Sequence, residues 1–213
     1  MTKKRAIISG ICLMVFIIIT WIVSSGRELA FDTVICEWFY SLRTPWLTEA
    51  VKGITFMGNT KTIVAICILL LVVPLVKGKS GWQITKKFGI PVAVVAIVGS
   101  AINKTIKHIM VRPRPDVSLH LIEQGGWSFP SGHSISGLLL YGFMVWLLRR
   151  YFEDRRIVNI ATVVLTILWV GIGLSRIYLG VHYPTDVLGG WLLGTVVMIA
   201  AIVIIDKTDK KVK

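Results

Sequence analysis

Long apolar runs separated by short polar breaks divide this 213-residue chain. The first run, residues 6–23, follows Met1-Thr2-Lys3-Lys4-Arg5 and superficially resembles a signal peptide. It is longer than the ~7–15-residue apolar stretch of such peptides and no A-x-A site follows, so a retained span is expected. Further runs predict spans over 61–76, 88–102, 134–148, 158–174 and 187–205. The third continues as helix through Met110, which sets Lys104, Lys107 and His108 on one side at i, i+3 and i+4. Arg112-Pro113-Arg114-Pro115 then ends it, because a residue before proline leaves the helical region. After the first span, Phe31, Val34, Ile35, Trp38, Phe39 and Leu42 recur at helical spacing with Asp32 and Glu37 off the apolar face. Such a helix either lies in the membrane interface or packs on the spans. Trp46 to Met57 predicts another short helix, stopping at Gly58-Asn59. The pattern therefore describes an all-α integral membrane protein. It is a six-transmembrane-helix bundle with short interfacial helices on the outer side, forming one domain over residues 1–213 without internal repeats.

Composition agrees: 54% of residues are hydrophobic, only 16% are charged, and the mean hydropathy is +0.74. A formal net charge of +13 would suggest nucleic acid in a soluble protein. Here its distribution explains it instead. Fifteen of the 24 Lys and Arg residues fall on the side of the two tails, against four acids. The other side holds nine against seven acids, and Lys104, Lys107, Arg112, Arg114 and Arg176 account for five of the nine. The positive-inside rule places both termini in the cytoplasm and the polar loops outside, with no nucleic-acid partner. Cys12, Cys36 and Cys67 are isolated, with neither a C-x-x-C pair nor ligand spacing to histidine, which argues against a disulfide framework or zinc site.

The densest polar island runs from Ser175 to Asp186, between two apolar spans. Ionisable residues at the edge of a span are costly and point to function, although snorkelling and capping account equally well for this island taken alone. Pro184 suits a first helical turn, which puts Asp186 there and within reach of His182 four residues earlier. A carboxylate on one ring nitrogen fixes the tautomer and leaves the other free as base or nucleophile. Arg176 contributes a planar fork for phosphate or carboxylate. Upstream, Pro130-Ser131-Gly132-His133 opens the fourth span, so backbone N–H groups and the helix dipole can face an anion. By itself that tetrapeptide reads better as a turn and cap.

Taken in order, the chain carries K-x6-R-P from Lys107 to Arg114-Pro115, then P-S-G-H, then S-R-x5-H-x3-D from Ser175 to Asp186. This ordered triple resembles the type-2 phosphatidic acid phosphatase superfamily over roughly residues 55 to 205, and three matching motifs are far rarer than any one. Arg112-Pro113 is a second R-P pair, but only Arg114 has the family's distance from Lys107, so Arg112 is expected behind the site. The resemblance implies a bacterial plasma-membrane lipid phosphatase. Its substrates would be phosphatidylglycerol phosphate or undecaprenyl diphosphate, taken from the bilayer at an outward-facing site. It further implies that His182, oriented by Asp186, attacks phosphorus to form a phosphohistidine, with His133 as acid and then base. Lys107, Arg114, Ser131, Gly132 and Arg176 would hold the phosphate, and no metal or other cofactor is expected because three cations stand where a metal would. His108 and His120 match no motif position. Gly190-x-x-x-Gly194 reads as a helix-packing face.

A transporter is the rival class, but such pathways need polar groups near the midplane, and the centres of all six predicted spans lack charge. A lipid phosphotransferase would share the site and differ only in the acceptor. A soluble haloperoxidase relative is disfavoured by the flanking spans. The charge pattern predicts that Trp127 and Gly180 face outward while Lys3 and Lys213 face the cytoplasm. In intact cells, an engineered cysteine at 127 is expected to react with a membrane-impermeant maleimide, and one at 213 only after permeabilisation. The opposite pattern would reverse the orientation.

Overall fold

The protein is described here by a computed structural model covering residues 2–27 and 29–211; Glu28 and Lys213, both counted in the charge balance, lie outside the described residues. Every regular element among the described residues is helical. The α-helices are α1 (Lys3–Ser24), α2 (Ala30–Ser41), α3 (Pro45–Phe56), α4 (Thr60–Val72), α5 (Gly78–Ile84), α6 (Ile90–Met110), α7 (Gly132–Gly137), α8 (Phe143–Tyr151), α9 (Arg155–Tyr178) and α10 (Pro184–Lys211). Among the described residues, four helical stretches are long and apolar enough to cross a membrane: Lys3–Ser24, Thr60–Met110, Arg155–Tyr178 and Pro184–Asp209.

The 51-residue stretch Thr60–Met110 is not straight. A 3-10 turn at Val73–Lys77, with Pro74 near its start, interrupts it, and Gly78 follows at φ 62°. A π-helical segment, Thr85–Gly89, then leads into α6. The Thr85 hydroxyl donates to the Leu71 carbonyl at 3.1 Å, and a Cβ on Gly89 would stand 2.4 Å from the Leu70 carbonyl oxygen. The chain has therefore doubled back, and α4 and α6 are the two arms of a hairpin. Proline, which cannot donate to the preceding turn, and glycine, which tolerates positive φ, make the reversal possible. The run expected over 134–148 is helical too, as α7 and α8 joined by a π-helical segment at Leu138–Gly142.

Small residues set how closely the bundle packs. A Cβ on Gly190 would lie 2.7 Å from the Ser131 carbonyl oxygen, and one on Gly194 would lie 3.0 Å from Leu138. The G-x-x-x-G stripe of α10 is thus a packing face against α7 and the segment after it. Phe16 of α1 stacks on Phe129 with ring centroids 5.8 Å apart, within a core that also holds Val92, Ile135, Leu139, Phe143 and Ile172. At the far end of α10, Asp206 pairs with Arg5 and with Arg150, and Arg150 also pairs with Asp209 at 2.8 Å. These contacts bring the start of α1 and the ends of α8 and α10 together, at the opposite end of α10 from Asp186.

Helix α2 forms as its periodicity predicts, but Asp32 does not face solvent. It is 2% exposed, while Phe31, Val34 and Trp38 of the same helix are 51%, 65% and 58% exposed. Phe31, Val34 and Trp38 point away from the bundle while Phe39 packs into it, and Asp32 points inward because Arg112 and Thr185 hold the carboxylate. An outward apolar stripe is the arrangement of a helix bedded in a lipid interface.

Two glycines give contrasting expectations. Gly180, at the end of α9, has φ +75°, and a Cβ there would meet the Leu119 carbonyl oxygen at 2.3 Å. Gly53, inside α3, has nothing within 4 Å of an added Cβ. Gly180→Ala is expected to lower stability by about 2 kcal/mol or more, from left-handed strain plus the clash. Gly53→Ala is expected to raise it by roughly 0.5–1 kcal/mol. Thermal unfolding of the detergent-purified variants reads both signs.

Candidate active site

Local turn chemistry brings the three motifs together. Helix α6 ends with Val111 in the left-handed region at φ 48°, its N–H donating to the Lys107 carbonyl at 3.1 Å. A β-branched residue rarely adopts that conformation. Here it ends the helix abruptly, so that Arg112 and Arg114 leave on a new course. Ser131 caps α7, its hydroxyl accepting from the Ser134 N–H at 3.4 Å. Gly180 turns the chain out of α9, and Pro184 opens α10 with Asp186 in its first turn, as the sequence predicts.

Asp186 is completely buried and fully engaged. One oxygen accepts from Arg112 Nη1 at 2.6 Å. The other accepts from the Tyr183 N–H at 2.9 Å, from the Ser128 hydroxyl, and from His182 Nδ1 at 3.2 Å. On the far side of the ring, Arg114 Nη1 lies 3.1 Å from His182 Nε2. A guanidinium only donates, so Nε2 must accept. The ring therefore carries its proton on Nδ1, toward Asp186, and a lone pair on Nε2. Burial drives the His182 pKa down to about 3, opposed by Asp186 and reinforced by the positive charges of Arg114 and Lys107, so the ring is neutral near pH 7.

His182 lines a cavity of about 230 Å³ together with Lys107, Arg114, Gly132 and His133. Five predicted site residues thus share one wall system. Ser131, Arg176 and Asp186 stand behind it, each buried to within a per cent. Arg176 donates to the Thr55 hydroxyl at 2.7 Å and to the Gln124 side-chain carbonyl, while its own carbonyl accepts the N–H groups of Val181 and His182. Lys107 donates to the Ser128 carbonyl at 2.9 Å, and Arg114 to the carbonyls of Val181, Gly126 and Gly125 at 2.6, 2.9 and 3.0 Å. Among the described residues no carboxylate forms an ion pair with Lys107, Arg114 or Arg176. Burial lowers the Arg114 pKa, the mark of a cation kept out of water. Three cations whose hydrogen-bond acceptors are all neutral create a field that an anion relieves.

The structure places Arg112 off the cavity lining and against Asp186. It bridges Asp186 to Asp32, with Nη2 2.7 Å from the Asp32 carboxylate, and lies over the Tyr183 ring at 4.2 Å. Asp32 also accepts from the Thr185 N–H at 2.9 Å and the Thr185 hydroxyl at 2.6 Å. Asn59 was read only as a helix boundary. It accepts from His133 Nε2 at 2.8 Å, which leaves the neutral ring's lone pair on Nδ1. Gly58 leaves room for that ring, since a Cβ there would come within 3.0 Å of it. Ser128, Gln124 and Thr55 escaped notice as well. Of these, only Ser128, two residues before Pro130-Ser131-Gly132-His133, carried any signal in its position. His108 is exposed and bonded to the Lys104 carbonyl, and His120 sits in its loop against the Pro115 carbonyl.

A neutral, oriented histidine facing a cation-lined cavity within a bundle of membrane-length helices defines a membrane enzyme that handles phosphate groups. Residues 88–210 match the family model described as the PAP2 superfamily, and the chain belongs to that family as a membrane phosphatase. It is 28% identical over 204 residues to phosphatidylglycerophosphatase B of Bacillus subtilis (strain 168), covering 93% of each chain. It is 32% identical over 116 residues to an undecaprenyl-diphosphatase of Sulfolobus acidocaldarius, covering 52% of each. The crystal structure of the transmembrane PAP2-type phosphatidylglycerolphosphate phosphatase from Bacillus subtilis superposes with a TM-score of 0.76 at 25% identity, over 94% of this chain and 96% of that one.

The Arg112 bridge predicts a stability effect remote from the cavity. Asp32→Asn keeps the size but removes one charge from a buried ion-pair network, so a loss of about 3 kcal/mol is expected. Asp32 never touches the cavity lining, so any surviving folded fraction should still bind vanadate. Denaturant unfolding in detergent micelles measures the loss, and an unchanged midpoint would deny the bridge its role.

Proposed function

We propose that this protein hydrolyses a lipid phosphate at the outer face of a bacterial plasma membrane through a phosphohistidine on His182. The observation that carries this reading is the tautomer of His182: Arg114 on Nε2 and Asp186 on Nδ1 leave a nucleophilic lone pair facing a cavity lined with unneutralised cations. The Nε2 lone pair forms the N–P bond while the bond from phosphorus to the lipid oxygen breaks, and His133, whose free Nδ1 first takes up the proton of the incoming phosphate monoanion, passes that proton to the leaving oxygen. Asp186 stabilises the ring as it becomes cationic, in the manner of the acid in a Ser-His-Asp triad. His133 then removes a proton from water, whose oxygen attacks phosphorus and releases inorganic phosphate with neutral His182. Lys107 and Arg114 neutralise the equatorial oxygens, the N–H groups at the start of α7 donate to them, and Arg176 adds charge from behind the wall. Arg114 must shift its fork from the His182 ring toward the incoming phosphate, which substrate charge favours.

The hairpin of α4 and α6 and the paired helices α7 and α8 support counting six crossings, with α2 and α3 as interfacial helices. The charge balance supports cytoplasmic tails and an external site. The names of the similar proteins support a bilayer lipid bearing a terminal phosphate, with phosphatidylglycerol phosphate and undecaprenyl diphosphate as the candidates.

Rapid-quench labelling with a ³²P-labelled activated aryl phosphate tests the roles. The wild type is expected to show transient acid-labile, base-stable label, and His182→Ala none. His133→Ala should still accept label, because a good leaving group needs no proton, and then stall without a base for water. Label retained on His182→Ala but absent from His133→Ala would reverse the two roles. Arg176→Lys keeps the charge and loses the fork, and a ten- to hundred-fold fall in kcat/KM is the rough expectation.

A further inference from the structure

His133 is held from a part of the chain outside the three motifs. The turn between α3 and α4, Met57-Gly58-Asn59, lies against one edge of its ring. Asn59 Oδ1 is 2.8 Å from Nε2, and a Cβ on Gly58 would stand 3.0 Å from Cδ2, the ring atom bonded to Nε2. His133 lines the cavity, and its Nδ1, on the other edge, makes no hydrogen bond among the described residues. The turn also precedes residues 88–210, the part of the chain that matches the family model.

Several bonds fix the turn in its own place. The Met57 carbonyl accepts from the Tyr141 hydroxyl at 2.8 Å, the Gly58 N–H donates to the Thr55 carbonyl at 2.9 Å, and the Thr62 hydroxyl donates to the Phe56 carbonyl at 2.8 Å. The Thr55 hydroxyl accepts from Arg176 Nη1, so residues 55–59 hold Arg176 at one end and His133 at the other. Asn59 occupies the N-cap position of α4, where an asparagine oxygen ordinarily accepts from the first helical turn, yet it makes no such bond. That oxygen is committed to His133 instead, and a local rule broken in this way marks a functional position.

We infer that Asn59 is a positioning residue for the proton steps carried out by His133. The inference rests on the phosphohistidine reading above and deepens it. A carbonyl oxygen only accepts, so Nε2 keeps its proton throughout and Nδ1 is the atom that exchanges protons with the reacting groups. In the first step Nδ1 takes the proton of the phosphate monoanion and passes it to the lipid oxygen as the P–O bond breaks. In the second it takes a proton from water as the water oxygen bonds to phosphorus and the N–P bond breaks, and the product phosphate carries that proton away. Each time the ring is briefly cationic. Burial opposes that charge, as do Arg176, His182, Arg114 and Lys107 on the elements packed around the ring. The Asn59 oxygen accepts from the ring in both states, so it orients the neutral form and steadies the cation. Phosphorylation of His182 by a substrate with a good leaving group needs neither proton step and does not depend on Asn59.

Rapid-quench labelling of the full chain in detergent separates the two steps, and kcat/KM on p-nitrophenyl phosphate and on phenyl phosphate, whose leaving group is poorer, reads the need for an acid. In Asn59→Ala, label from p-nitrophenyl phosphate is expected to form within about three-fold of the wild-type rate and to decay roughly ten- to hundred-fold more slowly, a part of what general acid–base catalysis contributes. The ratio of kcat/KM on p-nitrophenyl phosphate to that on phenyl phosphate should rise about ten-fold. Asn59→Asp keeps the acceptor oxygen and adds a charge that favours the imidazolium. Label decay should therefore recover at alkaline pH, and its acid limb should move up by about one pH unit or more, since the neutral base is lost sooner as pH falls. Decay and ratio unchanged in Asn59→Ala, or formation and decay slowed alike, overturns the inference, and so does a wild-type pH dependence in Asn59→Asp. The pH dependence decides alone if Asn59→Ala fails to fold. No label on the wild type overturns the phosphohistidine reading itself, and the inference falls with it.

Discussion

The buried carboxylate of Asp186 is the constraint on which the site depends. A charge in that position is tolerable only if every oxygen lone pair finds a donor, and Arg112, Ser128, Tyr183 and His182 provide them from three separate parts of the chain. Each donor is consequently held in place by the acid it serves. The loop after α6 is pinned through Arg112, the approach to α7 through Ser128, and the turn before α10 through Tyr183 and His182. The Ser131 N–H adds a backbone bond to the Asp186 carbonyl at 2.9 Å, so the start of α7 is tied to the same residue. One carboxylate thereby ties together the loops at this end of the bundle.

The cations follow the opposite logic. Asp186 is satisfied in the resting protein, whereas Lys107, Arg114 and Arg176 are paid only in neutral carbonyl, hydroxyl and amide oxygens. Neutral acceptors satisfy hydrogen-bond geometry without cancelling charge, so the cavity keeps a positive potential while its walls stay ordered. Closely spaced cations repel, and a phosphate dianion removes that repulsion as it binds. Preorganisation of this kind places donors before the transition state forms and leaves little to rearrange. Asn59 extends the same principle to His133, setting the ring's tautomer from the first turn of a different helix.

The architecture serves this arrangement by separating stiff and strained regions. Close helix contacts through Gly190, Gly194 and Gly89 fix the bundle, and the ion pairs among Arg5, Arg150, Asp206 and Asp209 close its far end. Left-handed residues at Val111 and Gly180 each end a helix and redirect the chain toward the site, and Gly78 serves the reversal between α4 and α6. Helix α2 shows how burial and lipid compete for one surface. Phe31, Val34 and Trp38 are turned outward, while Asp32, which completes the Arg112 network, and Phe39 face the bundle.

The amino-acid sequence by itself determined the helical class, the positions of the apolar runs, and the three motifs with their order. These are local properties, set by hydropathy over a turn or two and by the spacing from Pro184 to Asp186 and back to His182. It determined equally that His182 and Asp186 would meet, since four residues across a helix start allow little else. What it could not decide were the contacts between residues far apart in the chain. Asp32 to Arg112, Asn59 to His133, Thr55 and Gln124 to Arg176, and Ser128 to Asp186 join segments whose separation carries no periodicity. Arg112 and Arg114 mark the boundary: the distance from Lys107 singles out Arg114, but the partners of these two consecutive Arg-Pro pairs are not written in the sequence. The left-handed turn at Val111 and the folded position of α2 send one to a buried acid pair and the other to the cavity wall, because tertiary packing decides which cation finds a carboxylate.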